Sequence, residues 1–378
     1  MLGASIRSSR VAWGELRTDG TLGYQGGCCQ GPRFRANLEG ATLVSAHAPS
    51  RLELDTQEPL EVFGILNASA RFDPDNPVQF WADWNFVGEL ALPGSVTAGL
   101  ILRPGSHVLV STAARTEWRH TLWALRPARL EPRSLSVLTI AAYPEDRVPS
   151  ELGLLARSAR KAGVELAVCF VGERYSSHRE MKVHRLLPVV RALDTPLVAY
   201  VDGRDSVFLA GAPRIERSFG ELRSGVVVSA EAASWPIYDR AWIARFPEHP
   251  SGCRWPNAGQ WMGERQHVIG ALEALAELAT RSARGAPALE RCRRVAHDDQ
   301  ILWQTAWLDG LVDLKLDYDG CIFRNVNTLD TSLIDNRDFD FGEELVFRAS
   351  GQSPSILHFS GDAAQHCMHQ WVGFLGAV

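Results

Sequence analysis

The chain has 378 residues, 46% hydrophobic and 22% charged, a composition that suits a globular protein large enough for two cores. A formal net charge of -5 argues against the basic excess of a broad nucleic-acid surface. There is no apolar run long enough for a membrane span, for which about 18 residues are needed.

The N-terminal MLGASIRSSRVAWGEL has no apolar core of signal-peptide length. Seven cysteines (Cys28, Cys29, Cys169, Cys253, Cys292, Cys321 and Cys367) show no C-x-x-C and no paired spacing, so reduced thiols in a cytoplasmic protein are expected. The adjacent Cys28 and Cys29 lie in a glycine-rich stretch and read as small apolar filler rather than as a redox pair. Of 39 basic residues only Lys161, Lys182 and Lys315 are lysines, which makes each one conspicuous.

Residues 1–130 read as an all-β domain. Short alternating runs (RLELD, LEVFGIL, VQFWADW, AGLILR, HVLVSTA) are separated by Gly, Pro, Asn and Asp turns, which predicts a β-sandwich. Trp81, Trp84, Trp118 and Trp123 could stack on a sugar, but the alternation in FWADW favours core packing. LRPARLEPRS, 125–134, reads as a linker.

From 135 to 378 the texture changes to alternating strands and helices. SVLTIAA is a buried strand. SELGLLARSARKAG is a helix with Ser150 as its cap and Gly163 as its stop, and VELAVCFV is the next strand. HREMKVHRLLPVVRAL is helical in pattern, with Pro188 expected to kink or split it. PLVAYVDGRD and GVVVSAE are further strands, WPNAGQWMG a glycine-bearing loop, and RQHVIGALEALAELATRSA and HDDQILWQTAWLDG are helices. LVDLKLDYDGCIFRNV reads as two strands about a turn, and SILHFSG is a late strand. Such alternation predicts an α/β fold, a mostly parallel sheet with helices on both faces and ligands at the carboxyl ends of strands.

Asp202 and Asp205 sit at such an end, in LVAYVDGRDSVFLAG. Two acids there tolerate burial when a cation pairs with them, and Mn²⁺ or Mg²⁺ suits oxygen donors. The bland alternative is an Asp-capped turn. Neither G-x-x-x-x-G-K-S/T nor G-x-G-x-x-G is present, which removes the main support for P-loop and dinucleotide-binding readings. Further blocks follow in order: Glu231 and Trp235 in SAEAASWP, Asn257 and Trp261 in WPNAGQWMG, Asp298, Asp299 and Gln300 in HDDQ, then CIFRN, and His358 and Gly361 in HFSG. Asp298 and Asp299 open a helix, where acids are expected for capping alone. His366 and His369 in HCMH share one helix face and read as structural.

In order and spacing, these blocks resemble the glycosyltransferase domain of the procollagen lysyl hydroxylases and related collagen glycosyltransferases. That family carries VD-x-x-D, SAE…WP, N-x-G-G-(F/W)-I-G, DDQ-x-x-(F/W), IF-x-N and H-x-x-G. The likeness spans residues 135–375. It implies a GT-A fold, a nucleotide-sugar donor, usually UDP-linked, and Mn²⁺. Carried over by position, it implies Asp202, Asp205 and His358 as metal ligands. It also implies Tyr175 against the nucleobase, Lys182 near a phosphate, and Trp235 and Asn257 lining a sugar pocket, with Gln300 and Gly361 in the donor site. Asp298 or Asp299 would be the base for the acceptor hydroxyl or a holder of donor hydroxyls.

Three departures stand out. Arg204 replaces the tyrosine common inside the family's D-x-x-D and could reach a phosphate. Gln260 replaces the second glycine, and the lysine that follows the family's H-x-x-G-P is missing. More faintly, HAPS and HTLWAL in the first domain resemble the carbohydrate-associated sandwich domains attached to bacterial glycosidases. The expected protein is therefore a cytoplasmic, metal-dependent glycosyltransferase. Its partners would be a nucleotide-sugar donor and a small-molecule, glycan or peptide acceptor, with homo-oligomerisation open and no nucleic acid or membrane. Two rivals stand beside it: a metal-dependent hydrolase or nucleotidyltransferase, and a non-catalytic carbohydrate-binding protein.

Overall fold

The computed structural model describes residues 4–7, 12–16, 22–24, 41–48, 50–66, 77–91, 95–113, 119–130, 132–145, 147–326, 339–342, 344–361 and 368. Cys28, Cys29, Trp118, His366 and His369 lie outside the described residues. The chain divides into two compact units, Met1–Pro132 and Arg133–Val378. Among the described residues no helix is long and apolar enough to cross a membrane.

The first unit contains eleven described strands: β1 (Ala4–Arg7), β2 (Ala12–Leu16), β3 (Leu22–Tyr24), β4 (Thr42–Ala48), β5 (Ser50–Thr56), β6 (Leu60–Leu66), β7 (Val78–Ala82), β8 (Asn85–Leu90), β9 (Leu100–Leu102), β10 (Gly105–Ala113) and β11 (Arg119–Pro127). They form two antiparallel sheets, in the orders β1-β5-β10-β7-β8 and β3-β2-β4-β11-β6-β9. One core joins the inner faces, with Leu52, Phe80 and Leu109 from the first sheet against Val62, Trp123 and Leu125 from the second. Phe80 meets Trp123 edge to face at 5.2 Å. Trp81 and Trp123 are fully buried and Trp84 nearly so, so these three serve packing and not sugar stacking. Leu125–Pro127 of the expected linker complete β11 instead.

The second unit is built on a six-stranded sheet from β12 (Leu135–Ile140), β13 (Leu166–Cys169), β14 (Leu197–Val201), β16 (Val226–Glu231), β17 (Trp255–Glu264) and β18 (Lys315–Asp317), in the order β13-β12-β14-β17-β16-β18. Three of its pairings are parallel and the two made by β17 are antiparallel. Among the described residues seven α-helices accompany the sheet: α1 (Val148–Lys161), α2 (Leu186–Ala192), α3 (Ala212–Leu222), α4 (Arg240–Ile243), α5 (Arg265–Ala283), α6 (Glu290–Arg294) and α7 (Gln300–Leu308). Leu138, Ile140, Val228 and Trp261 face a core shared with Leu272 and Leu275 of α5 and Ile301 and Trp303 of α7. Side chains alternate along a strand, so Thr139 points to the opposite face, where Leu152 of α1 approaches Gly203 beside it. A smaller sheet has the strand order β15 (Ser206–Phe208), β22 (Ile356–His358), β19 (Phe323–Asn325), and β20 (Phe339–Phe341) pairs with β21 (Leu345–Phe347).

Several local expectations change. Ser150 does not cap α1; the helix starts at Val148, with Pro149 in its first turn, and the Ser150 hydroxyl donates to Arg147 O at 2.8 Å. Gly163 does end it, at φ +70°. Pro188 neither ends nor splits the helical run. A π-helical turn, Glu180–Arg185, precedes α2, which places Pro188 in the first turn of a new α-segment where its missing N–H costs nothing. WPNAGQWMG is a buried strand rather than a loop. The two strands read in LVDLKLDYDGCIFRNV belong to different sheets.

Candidate active site

The site forms where the six-stranded and three-stranded sheets of the second unit meet. β14 delivers Asp202 just past its carboxyl end, and Gly203 lets the turn pass within reach of Leu152 and Thr139, where a Cβ would collide. Asp205 then opens β15, which pairs antiparallel with β22, so Ser206 lies opposite His358. Phe359 N donates to Asp205 O at 2.7 Å and ties the two segments together. One ligand atom from each of Asp202, Asp205 and His358 lies within 4.8 Å of the others. His358 Nε2 is 3.4 Å from Asp205 Oδ1 and 3.8 Å from Asp202 Oδ2. Its Nδ1 lies 3.4 Å from the Asn325 amide, whose Oδ1 accepts from Ser360 Oγ at 2.8 Å. Two carboxylates and an imidazole on one point are a donor set that fits a hard or borderline divalent cation.

Asp202 is braced from the other side. Lys182, on the π-helical turn, is buried and places Nζ 2.7 Å from Asp202 Oδ1. The Tyr200 hydroxyl donates to the same oxygen at 2.6 Å, and the Tyr200 ring stacks on Trp261. Burial alone would raise the Asp202 carboxyl, but the charges of Lys182 and His358 hold it below its usual value. Burial would likewise lower His358, and the Asp205 carboxylate beside it raises it instead. Lys182 stays charged because Asp202 and Asp299 outweigh its desolvation. Lys182→Met leaves Asp202 without that compensating charge, so a loss of about 3–5 kcal/mol is expected in EDTA. Urea denaturation with and without Mn²⁺ checks this, because a cation at the triad should recover part of the loss.

The DDQ block sits at the start of α7. Asp298 has both oxygens committed: Oδ1 accepts from Gln300 N at 2.8 Å, and Oδ2 from Trp235 Nε1 at 3.0 Å. Asp299 differs. It is 3% exposed, and its Oδ2 has no hydrogen-bond partner among the described residues. Burial pushes its carboxyl up to about 7, with Asp298 and Asp202 adding to the rise and Lys182 opposing it. Asp299 is the N-cap residue of α7 but makes no side-chain cap bond. Capping of the first α7 N–H therefore accounts for one oxygen of Asp298 and not for Asp299.

Glu231, at the end of β16, accepts from Asn257 Nδ2 at 3.0 Å and from Gln300 Nε2. Gln300 Nε2 and Gln304 Nε2 both donate to Trp235 O, at 2.9 and 2.7 Å. This buried amide network holds the Trp235 backbone while its side chain stays 47% exposed beside Tyr238. Asn257 and Gln300 are thus internal braces. Tyr175 is 38% exposed, with its hydroxyl 2.5 Å from His178 Nδ1. Arg204 is well exposed and pairs through Nε with Glu151 at 3.2 Å, a partner on α1. Gly361 takes φ +88° in the turn after β22. Tyr200, Gln304 and Asn325 were not singled out from the sequence. Asn325 had a signal there, the final residue of the IF-x-N block.

The family model of the PLOD GT domain matches residues 131–367, well over half of the chain. The chain belongs to this family. The PLOD GT domain makes the protein a glycosyltransferase, and its second unit has a GT-A-like α/β fold preceded by a β-rich region. No curated protein matches the sequence. Among solved structures, a glycosyltransferase involved in the glycosylation of the major capsid of PBCV-1 is 11% identical, covers 63% of this chain and 100% of that one, and has a TM-score of 0.36. A197 from STIV is 12% identical over 37% of this chain and 68% of that one, with a TM-score of 0.24. A family 35 carbohydrate binding module from Clostridium thermocellum is 17% identical, covers 33% of this chain and 92% of that module, and has a TM-score of 0.16.

Proposed function

We propose that this PLOD GT domain moves a sugar from a nucleoside-diphosphate sugar, UDP-linked, to a hydroxyl of a small-molecule, glycan or peptide acceptor in the cytoplasm. The observation that carries the reading is the convergence of three distant blocks: the Asp202–Asp205–His358 triad, and a buried carboxyl, Asp299, with one oxygen unpartnered among the described residues and Lys182 and Asp202 acting on its charge. The triad would hold Mn²⁺ or Mg²⁺. When bound, the ion supplies Lewis-acid stabilisation of the leaving diphosphate.

The protein's own groups divide the remaining work. Asp299 accepts the proton of the acceptor hydroxyl; a carboxyl near 7 is matched to that task at neutral pH. Asp298 does not share it, since both its oxygens are engaged, and it acts by fixing the Trp235 indole. The exposed face of Trp235 packs on a sugar ring. Tyr175 offers its ring to the base, and Lys182 holds Asp202 in place and lends positive charge beside the diphosphate. Arg204 reaches a phosphate only by leaving Glu151.

Isothermal titration of UDP, GDP and dTDP, with and without Mn²⁺, tests the reading. UDP is expected to bind only with the metal. Nucleotide binding under no metal condition would overturn the proposal. Donor hydrolysis indifferent to every acceptor would favour a hydrolase on the same site.

A further inference from the structure

The strand β17 is not regular where it passes the triad. Val228 of β16 pairs with Trp261, but the next residue, Ser229, pairs with Asn257, so Ala258, Gly259 and Gln260 bow out of that ladder. On its other edge the same strand stays in register with β14, with Val201 opposite Gln260. The bow is held by side-chain amides in place of ladder partners. Gly259 N donates to Asn257 Oδ1 at 2.9 Å, and Ala258 N to Gln300 Oε1 at 3.2 Å. Gly259 O accepts from Asp202 N at 2.9 Å, which pulls the bow directly under the first ligand. A glycine in a bulge often marks a place where something must approach the backbone closely.

That approach is from the triad. A Cβ at position 259 would lie 2.2 Å from His358 Cε1 and 2.7 Å from Asp202 Oδ2, with Asn257 Oδ1 at 2.9 Å. Two of the three neighbours are therefore triad side chains, and the oxygen concerned is the one that faces His358 Nε2. Each of these side chains is fixed from behind: Asp202 by Lys182 and Tyr200, Asn257 by Glu231, and His358 by Asn325. They have little room to retreat. A methyl group would pry Asp202 and His358 apart.

From this we infer that the Gly259 bulge is the device that lets Asp202 and His358 close on one cation. Gly259 is a positioning residue, acting by its lack of a side chain, and the inference rests on the metal reading of the triad. Gly259→Ala then weakens metal binding while every ligand residue stays in the chain.

The test is Mn²⁺ titration by calorimetry or EPR of wild type, Gly259→Ala and Gly263→Ala. Gly263 lies in the same strand, and its Cβ would also collide, but with Gly225 O and Val268, away from the triad. Gly263→Ala should therefore lose stability while keeping Mn²⁺ affinity, and Gly259→Ala should lose roughly 10–100-fold in affinity, the scale of an outer-shell defect. A second arm reads the crowding with no metal present, by thermal unfolding of Gly259→Ala, His358→Ala and the double variant. If the methyl presses on the imidazole, the destabilisation by Gly259→Ala shrinks in the His358→Ala background. Wild-type affinity in Gly259→Ala, or additive melting shifts, would overturn the role of Gly259 while leaving the metal site standing. A wild type that binds no Mn²⁺ would instead overturn the metal reading, and this inference with it.

Discussion

Asp299→Asn is expected to slow sugar transfer by about 10²–10⁴-fold, the usual contribution of a positioned base, and yet to make the protein harder to unfold at pH 8. The second half follows from the sign of the shift. The Asp299 carboxyl sits near 7 in the fold against 3.8 as a free side chain. Between those values the folded protein keeps a proton that the unfolded chain has released, so stability falls as pH rises from about 4 to about 7. Above that the penalty is constant, at most about 4 kcal/mol. Asparagine never ionises, so the variant should lack this slope. Urea denaturation of both proteins from pH 4 to 8 gives the stability difference, and kcat/KM over the same range gives the activity. The wild-type rate should fall below about pH 7, at a lower pH when Mn²⁺ offsets the Asp202 charge, and the residual rate of the variant should not. A destabilised Asp299→Asn protein would mean that the carboxyl has a structural partner after all.

Asp205→Ala is expected to abolish Mn²⁺-dependent UDP binding and to cut transfer by about a thousandfold or more, the several kcal/mol that a Lewis-acid ion supplies. Its fold should survive with a loss of about 1–3 kcal/mol, because the buried His358 imidazole loses the carboxylate beside it. The bond that ties β15 to β22 here is Phe359 N to Asp205 O, which alanine keeps. Asp202→Ala would be a poorer probe. It strands the buried Lys182 ammonium and the Tyr200 hydroxyl, at a cost of about 3–5 kcal/mol, so lost activity would be confounded with unfolding. Calorimetry with UDP and Mn²⁺ beside a melting curve distinguishes the two variants. An Asp205→Ala protein that still binds UDP only with metal would remove Asp205 from the ligand set.

What could be read in advance divides along physical lines. Local periodicity set α5 to the residue, because Arg265–Ala283 is a long amphipathic run that its own pattern defines. The strand before Asp202 was legible too, although it stops at Val201 and not at the end of PLVAYVDGRD. WPNAGQWMG misled because Asn and Gly are turn residues in most contexts. Here they serve a bulge inside a buried strand, and only the neighbouring strands make that visible. That Asp202, Asp205 and His358 come together was foreshadowed by the blocks; what each side chain pairs with was not. Nothing in DDQ says that the first acid is consumed by an indole 63 residues earlier while the second is left bare. The Lys182 partner is 20 residues away and the Glu151 that engages Arg204 lies on α1, so both depend on tertiary packing.

One short helix, α7, begins at the base and also grips the turn that presents Trp235, through Gln300 and Gln304. The Asp299 carboxyl and the exposed Trp235 ring are therefore indexed to one helix. The segment from Tyr238 to Arg254 is bound to the same helix, since Trp242 Nε1 donates to Gln304 Oε1 at 3.2 Å and Phe246 packs against Trp307. The distance from ring to carboxyl is therefore set by one helix and the turn that it holds.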